Sequence, residues 1–320
     1  MEFGFGFHTQ SPISDPTSMR TVAVRGEELG FNYMAFPEHI VAPREYTSVH
    51  PSSETGRLPA ITKGHFLDSL MVMTFVAAVT TKPRLMPAVM IVPYRPAVMT
   101  AKMLATLDVL SDGRVTLGCG VGWLEEEFEA LSAPAFSERG RVTDEYLRAF
   151  KELWASDNPS MSGDHVSFSD IIFKPKPVQK PHPPIFIGGE SVPAMRRVVE
   201  HGDGWFPMGT NPRNRMDTRA LFQANVERLH ALAEEKGRDP ASIELGFWAQ
   251  WYGLGEDIKT ADGSRHLFSG SVEDIAGDIE FFRELGGSVL FFRFFSSTLE
   301  ETLDRMERHA VDLLPLVRDQ

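Results

Sequence analysis

Eight times along the chain, a short run rich in β-branched and aromatic residues gives way to a longer amphipathic stretch. This alternation restricts the fold more than any other feature, because parallel strands need crossover connections and helices supply them. Strands are predicted at residues 3–7, 32–36, 84–92, 115–120, 184–187, 204–207, 243–248 and 288–294. Helices are predicted at 66–80, 96–110, 124–131, 139–155, 192–201, 215–236 and 298–314. Two more have readable starts. Asp15-Pro16 reads as an N-cap followed by proline at the first helical position, opening a helix to Gly30, and Ser271 with Asp274 forms a capping box for a helix to Leu285. No Pro/Gly/Ser-rich linker separates halves that could stand alone, so residues 1–320 are expected to form a single α/β domain. Eight β-α units point to a closed (β/α)8 barrel, although an open doubly wound sheet would satisfy the alternation alone. Three stretches break the pattern. Residues 41–64 and 251–266 are expected as lid insertions over the barrel mouth, and 161–174 as a hairpin excursion outside it.

Charge and cysteine content narrow the partners. With 44 acidic against 32 basic residues, the formal net charge is -12, and that field repels a nucleic-acid backbone. Cys119 is the single cysteine, so no intrachain disulfide can form. The start of the chain lacks the basic residues and apolar core of a secretory signal, and no apolar run approaches the ~20 residues that span a bilayer. A cytoplasmic protein with no membrane partner is expected. No His/Cys/Glu spacing matches a metal site, and there is no Walker loop or nucleophile elbow.

In a barrel, chemistry collects at the C-terminal strand ends. Those ends carry His8, Glu38-His39, the stretch 90–93, the stretch 119–123, Gly188-Gly189-Glu190-Ser191, the stretch 205–209 and Arg293. Two glycines between a strand and a helix let backbone N–H groups approach an anion, so 188–191 reads as a phosphate cradle or as a tight turn. Gly118, Gly120 and Gly122 lack the G-x-G-x-x-G spacing of a dinucleotide fingerprint. They read as a flat floor for a planar ring, or as close packing at a barrel corner. His39 can exchange a proton near neutral pH or serve as a hydrogen-bonded structural group. Glu125-Glu126-Glu127 reads as the acidic first turn of a helix. Within 291–295, an aromatic strand, Arg293 either snorkels to the rim or binds an anion.

The stretch GCGVGWLEEEFEAL at 118–131, followed by Glu138-Arg139-Gly140-Arg141 and Asp144-Glu145-Tyr146-Leu147, resembles the signature of the luciferase-like monooxygenases, the bacterial luciferase-like superfamily. Arg95-Pro96, Ala101-Lys102, the segment LDVLSDGR at 107–114, the segment PPIFIGG at 183–189, the stretch 194–197 and Asp203-Gly204-Trp205 are also similar to that family. The match runs over nearly the whole chain. It implies a (β/α)8 TIM barrel, often a homodimer, holding FMN or the deazaflavin coenzyme F420 (8-hydroxy-5-deazaflavin) at its mouth. The sequence looks closer to the F420-dependent branch.

Carried over by position, Gly188 and Gly189 would hold the cofactor phosphate, with Glu190 and Ser191 in the same turn. Gly120 and Val121 would line the ring, and Arg141 and Tyr146 would lie near the tail. Strand three would carry a bulge with a non-prolyl cis peptide among Ala88, Val89 and Met90, supporting the ring. His39 matches the active-site histidine, and Glu38 stands where many F420-dependent relatives have aspartate. The implied reaction is hydride transfer between a small organic substrate and F420, with His39 exchanging a proton and Glu38 orienting or polarising the substrate. An FMN-dependent monooxygenase, supplied by a flavin reductase and using O2, is the alternative, and a non-catalytic flavin-binding protein is a third. The two lid segments, with His50, Arg57, Trp251 and Tyr252, would select the substrate.

Overall fold

Alternation within each strand sets the architecture. The computed structural model describes residues 1–7, 9, 12–53, 55–57 and 65–318. Among these, eight parallel strands form the sheet: β1 (Glu2–Gly6), β2 (Tyr33–Phe36), β3 in two pieces (Arg84–Pro87 and Met90–Ile91), β4 (Leu117–Gly120), β5 (Ile185–Gly188), β6 (Gly204–Phe206), β7 (Glu244–Ala249) and β8 (Gly287–Phe292). Strand β1 pairs with β2 and β8, and pairing continues from β8 through β7, β6 and β5 to β4. The order ends on the two halves of β3, Arg84–Pro87 against β2 and Met90–Ile91 against β4. The sheet therefore closes on itself as a barrel, and the doubly wound alternative falls away. The break in β3 is the difference from the strand predicted at 84–92: the Ala88–Val89 peptide is cis.

Odd and even positions face different cores. Phe3 and Phe5 of β1, Met34 and Phe36 of β2, and Leu290 and Phe292 of β8 pack outward against the helices. Tyr33, Met86, Phe186, Phe206, Trp248 and Phe291 point inward and fill the barrel. Each such buried ring or chain contributes roughly 1.5–3 kcal/mol. So many large inward side chains leave room for nothing opposite. A Cβ on Gly4 would sit 2.7 Å from both Phe291 and Tyr33. Glycine and aromatic residues thus alternate around the interior so that the layers interlock.

The outer layer is α1 (Pro16–Glu28), α2 (Ser69–Ala77), α3 (Ala97–Leu110), α4 (Glu125–Ala130), α5 (Arg139–Ala155), α6 (Val192–His201), α7 (Arg219–Glu235), α8 (Val272–Glu284), α9 (Leu299–Arg308) and α10 (Leu314–Arg318). Asp15 caps α1 by accepting the Thr17 and Ser18 N–H groups, and Ser271 and Asp274 form the predicted capping box on α8. The helix predicted from 215 starts at Arg219, because Thr218 is its N-cap. The helix predicted at 298–314 is broken by a π-turn at His309–Leu313. The hairpin excursion is Met161–Ser162 paired antiparallel with Ser167–Phe168. Among the described residues, no helix is long and apolar enough to cross a membrane.

Candidate functional site

The strand ends meet in a cavity of about 1260 Å3 at the C-terminal mouth. Its floor is glycine for a steric reason. A Cβ on Gly120 would lie 2.8 Å from Val89, and one on Gly188 would lie 2.9 Å from the same valine. Val89, Gly120 and Gly188 therefore sit together as a low platform, with Val121, Gly122 and Trp123 continuing one side. Gly189 has φ +98°, a backbone conformation that only glycine adopts without strain. Ser191 caps α6 by accepting the Ala194 N–H at 3.3 Å. The start of that helix, with its positive dipole end, borders the cavity.

Two arginines border the same end. Arg139 donates to the carbonyls of Gly122 (3.3 Å) and Phe136 (2.9 Å) and lies 3.9 Å over the Phe136 ring. Burial holds it below the ordinary arginine range. Arg197 pairs with Asp144 and donates to the Gly140 carbonyl. Glu190 points its carboxylate into protein, where it accepts the Met208 and Gly209 N–H groups at 2.8 and 2.9 Å. Burial pushes it above the usual carboxylate range.

A buried carboxylate holds His39. Its Nδ1 lies 2.8 Å from Glu127 Oε2, and its side chain is 14% exposed while that of Glu127 is 0%. Glu127 also accepts the Tyr94 hydroxyl (2.9 Å) and the N–H groups of Ile40 (2.6 Å) and Val41 (3.1 Å). Burial works to raise this carboxyl, but the hydrogen bonds and charge of His39 and the two backbone donors hold it below its ordinary value. An ionised carboxylate accepting at Nδ1 fixes the tautomer and leaves Nε2 for a reaction partner. Phe66 and Trp123 flank the ring at 5.1 and 6.2 Å.

Several expectations need correction. Glu38 borders the cavity, but its carboxylate is 0% exposed and already engaged, accepting Ser69 Oγ (2.8 Å), Ile91 N–H (2.7 Å) and Arg95 (2.9 Å). It anchors the bulge of β3 from behind. Arg141 is exposed and pairs with Glu138, because α5 turns positions 142, 146, 149 and 153 inward and leaves 141 outside. Tyr146 and Met90 are buried in the outer core and do not line the cavity. Segment 251–266 contributes no described residue to the cavity wall. Tyr252 instead packs on Phe292, Phe294 and His309. Arg57 donates to the Tyr46 carbonyl and covers the Tyr46 ring. His8, residue 54 and residues 58–64 lie outside the described residues.

The cavity does bring together Glu38, His39, Val89, Gly120, Val121, Gly188, Gly189, Glu190 and Ser191, together with 47–52 of the first lid segment. Sequence reasoning missed Glu127 and Arg139. Glu127 had a signal, since it shares a helix face with Leu124 and Leu131, where a carboxylate needs a reason to be buried.

The fold and this mouth define the class: a (β/α)8-barrel protein with a large binding site built from strand-to-helix loops. The chain belongs to the luciferase-like monooxygenase family, whose sequence model matches residues 1–287. That is a family of oxidoreductases and monooxygenases. The chain is 34% identical over 181 residues to the FMNH(2)-dependent dimethylsulfone monooxygenase of Pseudomonas putida, a match spanning 56% of this chain and 47% of that protein. It is 31% identical over 262 residues to an uncharacterized protein of Mycobacterium tuberculosis, spanning 78% and 88% of the two chains. Its fold matches that of an F420-dependent secondary alcohol dehydrogenase in complex with an F420-acetone adduct, with TM-score 0.74, 17% identity and 99% of each chain covered.

Proposed function

We propose that the chain transfers a hydride between a small organic substrate and coenzyme F420 held at the barrel mouth. The observation that carries this reading is the His39–Glu127 pair in a cavity whose floor is bare glycine. Hydride chemistry at a carbon bearing oxygen must also move a proton, and His39 Nε2 is a group suited to take or return it. When bound, F420 supplies the two-electron hydride acceptor or donor. The residues present fit such a group. The platform of Val89, Gly120 and Gly188 leaves the space that side chains would fill, and the turn at 188–191, with Arg139 nearby, suits an anionic tail.

Glu127 keeps the His39 ring oriented and stabilises it when protonated. Glu38, through Ile91 and Arg95, holds the β3 bulge so that Val89 stays in the platform. Side-by-side titration of the protein with F420 and FMN tests the reading. Tight binding of F420, with turnover of an organic substrate under argon, is expected.

The FMN-dependent relative favours a second reading, an FMN-dependent monooxygenase served by a flavin reductase. Oxygen consumption coupled to substrate with reduced FMN, and no binding of F420, would establish it instead. A homodimer is also proposed. Helices α2 and α3 are apolar around much of their circumference and expose Met71, Met99, Val109 and Leu110, a pattern that calls for a covering partner. Sedimentation of the protein as a monomer at micromolar concentration would remove that proposal.

A further inference from the structure

Two histidines face the cavity, and the hydrogen bonds at their Nδ1 atoms put them in opposite tautomers. Glu127 is an ionised acceptor filled by Ile40, Val41, Tyr94 and His39, so whenever His39 is neutral its proton sits on Nδ1 and Nε2 offers a lone pair. His50 is the reverse case. The Ser52 N–H donates to its Nδ1 at 3.2 Å, so that nitrogen is bare and the proton sits on Nε2. Burial, and secondarily the neighbouring His39, push His50 down to about 4, so it stays neutral in ordinary buffers. Both rings meet the same indole edge-on: His39 lies 6.2 Å from Trp123 at 86°, and His50 lies 4.7 Å from it at 78°. Tyr46 fixes the indole from another side at 5.9 Å. One ring thus offers an acceptor and the other a donor, on two side chains that line one cavity and pack on one indole.

We propose that His50 is a second substrate-contacting histidine, a permanent N–H donor that works with His39 on one oxygen of an alcohol–carbonyl substrate pair. This rests on the hydride-transfer reading above and names its substrate class. A hydroxyl donates to His39 Nε2 and accepts from His50 Nε2–H. After oxidation, the carbonyl oxygen accepts from both, because His39 has taken the proton. In the oxidative direction the carbinol C–H bond breaks and its electron pair leaves with the hydrogen to the deazaflavin. The O–H proton passes to His39, and the alcohol is oxidised by two electrons to a ketone or aldehyde. The reductive direction reverses both transfers. A substrate reacting at an unactivated C=C bond offers His50 no acceptor, and an unpaired donor in a desolvated site is costly. A purely structural His50 would need only its Nδ1.

Two substitutions separate these roles. His50→Asn keeps an acceptor near the Nδ1 position for Ser52 and loses the distal donor. His50→Gln places an amide donor near the Nε2 position. With secondary alcohols and oxidised F420, or the matching ketones and reduced F420, His50→Asn is expected to lower kcat/KM about 100-fold, the size seen when a single oxyanion donor is removed. His50→Gln should recover much of that loss, and F420 affinity should be unchanged in both. Independently of turnover, 15N NMR of histidine-labelled protein should show His50 neutral with its proton on Nε2, and His39 protonated at Nδ1. A His50 protonated at Nδ1, or an Asn variant as active as wild type, overturns the proposal while leaving hydride transfer intact. So does turnover confined to C=C substrates. Failure of F420 to bind at all removes the hydride-transfer reading and this inference with it, whatever the NMR shows.

Discussion

Two long excursions leave the C-terminal end of the barrel, and only one builds the cavity. After β2, residues 47–52 line its wall. After β7, residues 251–266 line none of it. Both are polar and irregular, and both are tied down by buried carboxylates, so composition does not distinguish them. The anchor does. Glu126 and Glu127, on α4 directly after β4, hold the first excursion at the mouth: Glu126 accepts Thr47 and Ser48 N–H at 2.5 and 3.2 Å, and Glu127 accepts Ile40, Val41 and His39. Asp278, on α8 in the outer layer, holds the second. It accepts Phe268 N–H at 2.9 Å and pairs with Arg265 and Arg219 at 2.7 and 2.8 Å. On the proposed function, the carboxylate at the mouth serves chemistry, whereas the one in the helix layer serves stability.

The comparison is broken most severely at His39. Replacing it with alanine should lower kcat about 1000-fold, within the range for loss of a general acid–base group, while F420 affinity stays near wild type. Steady-state kinetics beside a binding titration measure both. Undiminished turnover would take the first excursion's histidine out of the mechanism.

The next test sets the two anchors against each other. Glu127→Gln places an amide where His39 Nδ1 needs an ionised acceptor, so kcat should fall about 10- to 100-fold, the usual cost of disturbing such a supporting carboxylate. Asp278→Asn takes the charge partner from Arg219 and leaves Arg265 only Asp274, at 3.9 Å. The expected loss is about 3 kcal/mol of stability, at the low end for a broken buried pair because both arginines keep some solvent contact, with kcat within about twofold of wild type. Denaturant midpoints and kcat for both variants decide it. Equal losses of activity would mean that the two excursions are not functionally different.

Sequence alone exposed much of the barrel and less of the site, and the reason is range. Strand alternation and helix caps are local, so α6 falls at 192–201 as predicted, behind its Ser191 cap, and the Ser271–Asp274 capping box opens α8. The glycine turn at 188–191 and the histidine after β2 were also legible, because strand ends of a barrel converge whatever the loops do. Direction was not. Arg141 and Tyr146 lie in the recognised motif, but the register of α5 sends one to solvent and the other to the core. The bond from Glu127 to His39 joins residues 88 apart, and three consecutive glutamates give no hint which one turns inward. Glu38 looked like chemistry because it precedes His39. Its carboxylate is instead spent on Ser69, Ile91 and Arg95, partners 31 to 57 residues away that no local pattern reveals.

A milder change probes the floor opposite the excursion. Gly120→Ala brings a Cβ to 2.8 Å from Val89, so the valine must shift and the platform rises. F420 affinity should weaken about tenfold, equivalent to roughly 1.4 kcal/mol, with little change in thermal stability. Unchanged affinity would mean that the glycines serve packing of the barrel corner and nothing else.

The smallest effect concerns how acid releases the mouth excursion. What burial Glu126 has works to raise its carboxyl, yet hydrogen bonds from Ser48 and Thr47 pull it from an ordinary 4.5 down to about 2. A carboxyl depressed on folding stabilises fully above its unfolded value and loses that contribution as pH falls through its folded one. The tie to Thr47 and Ser48 should therefore be whole above 4.5 and fade between there and about 2. Hydrogen exchange at those two amides, corrected for the intrinsic pH dependence of exchange, should show protection falling across that window in wild type. In Glu126→Gln protection should be low and flat, with kcat lowered no more than about twofold, since exposed-side ties of this kind are weak. Protection that stays constant down to the bottom of the window would show that Glu127 alone holds the excursion, and that the outer carboxylate of the pair belongs with the surface rather than with the site.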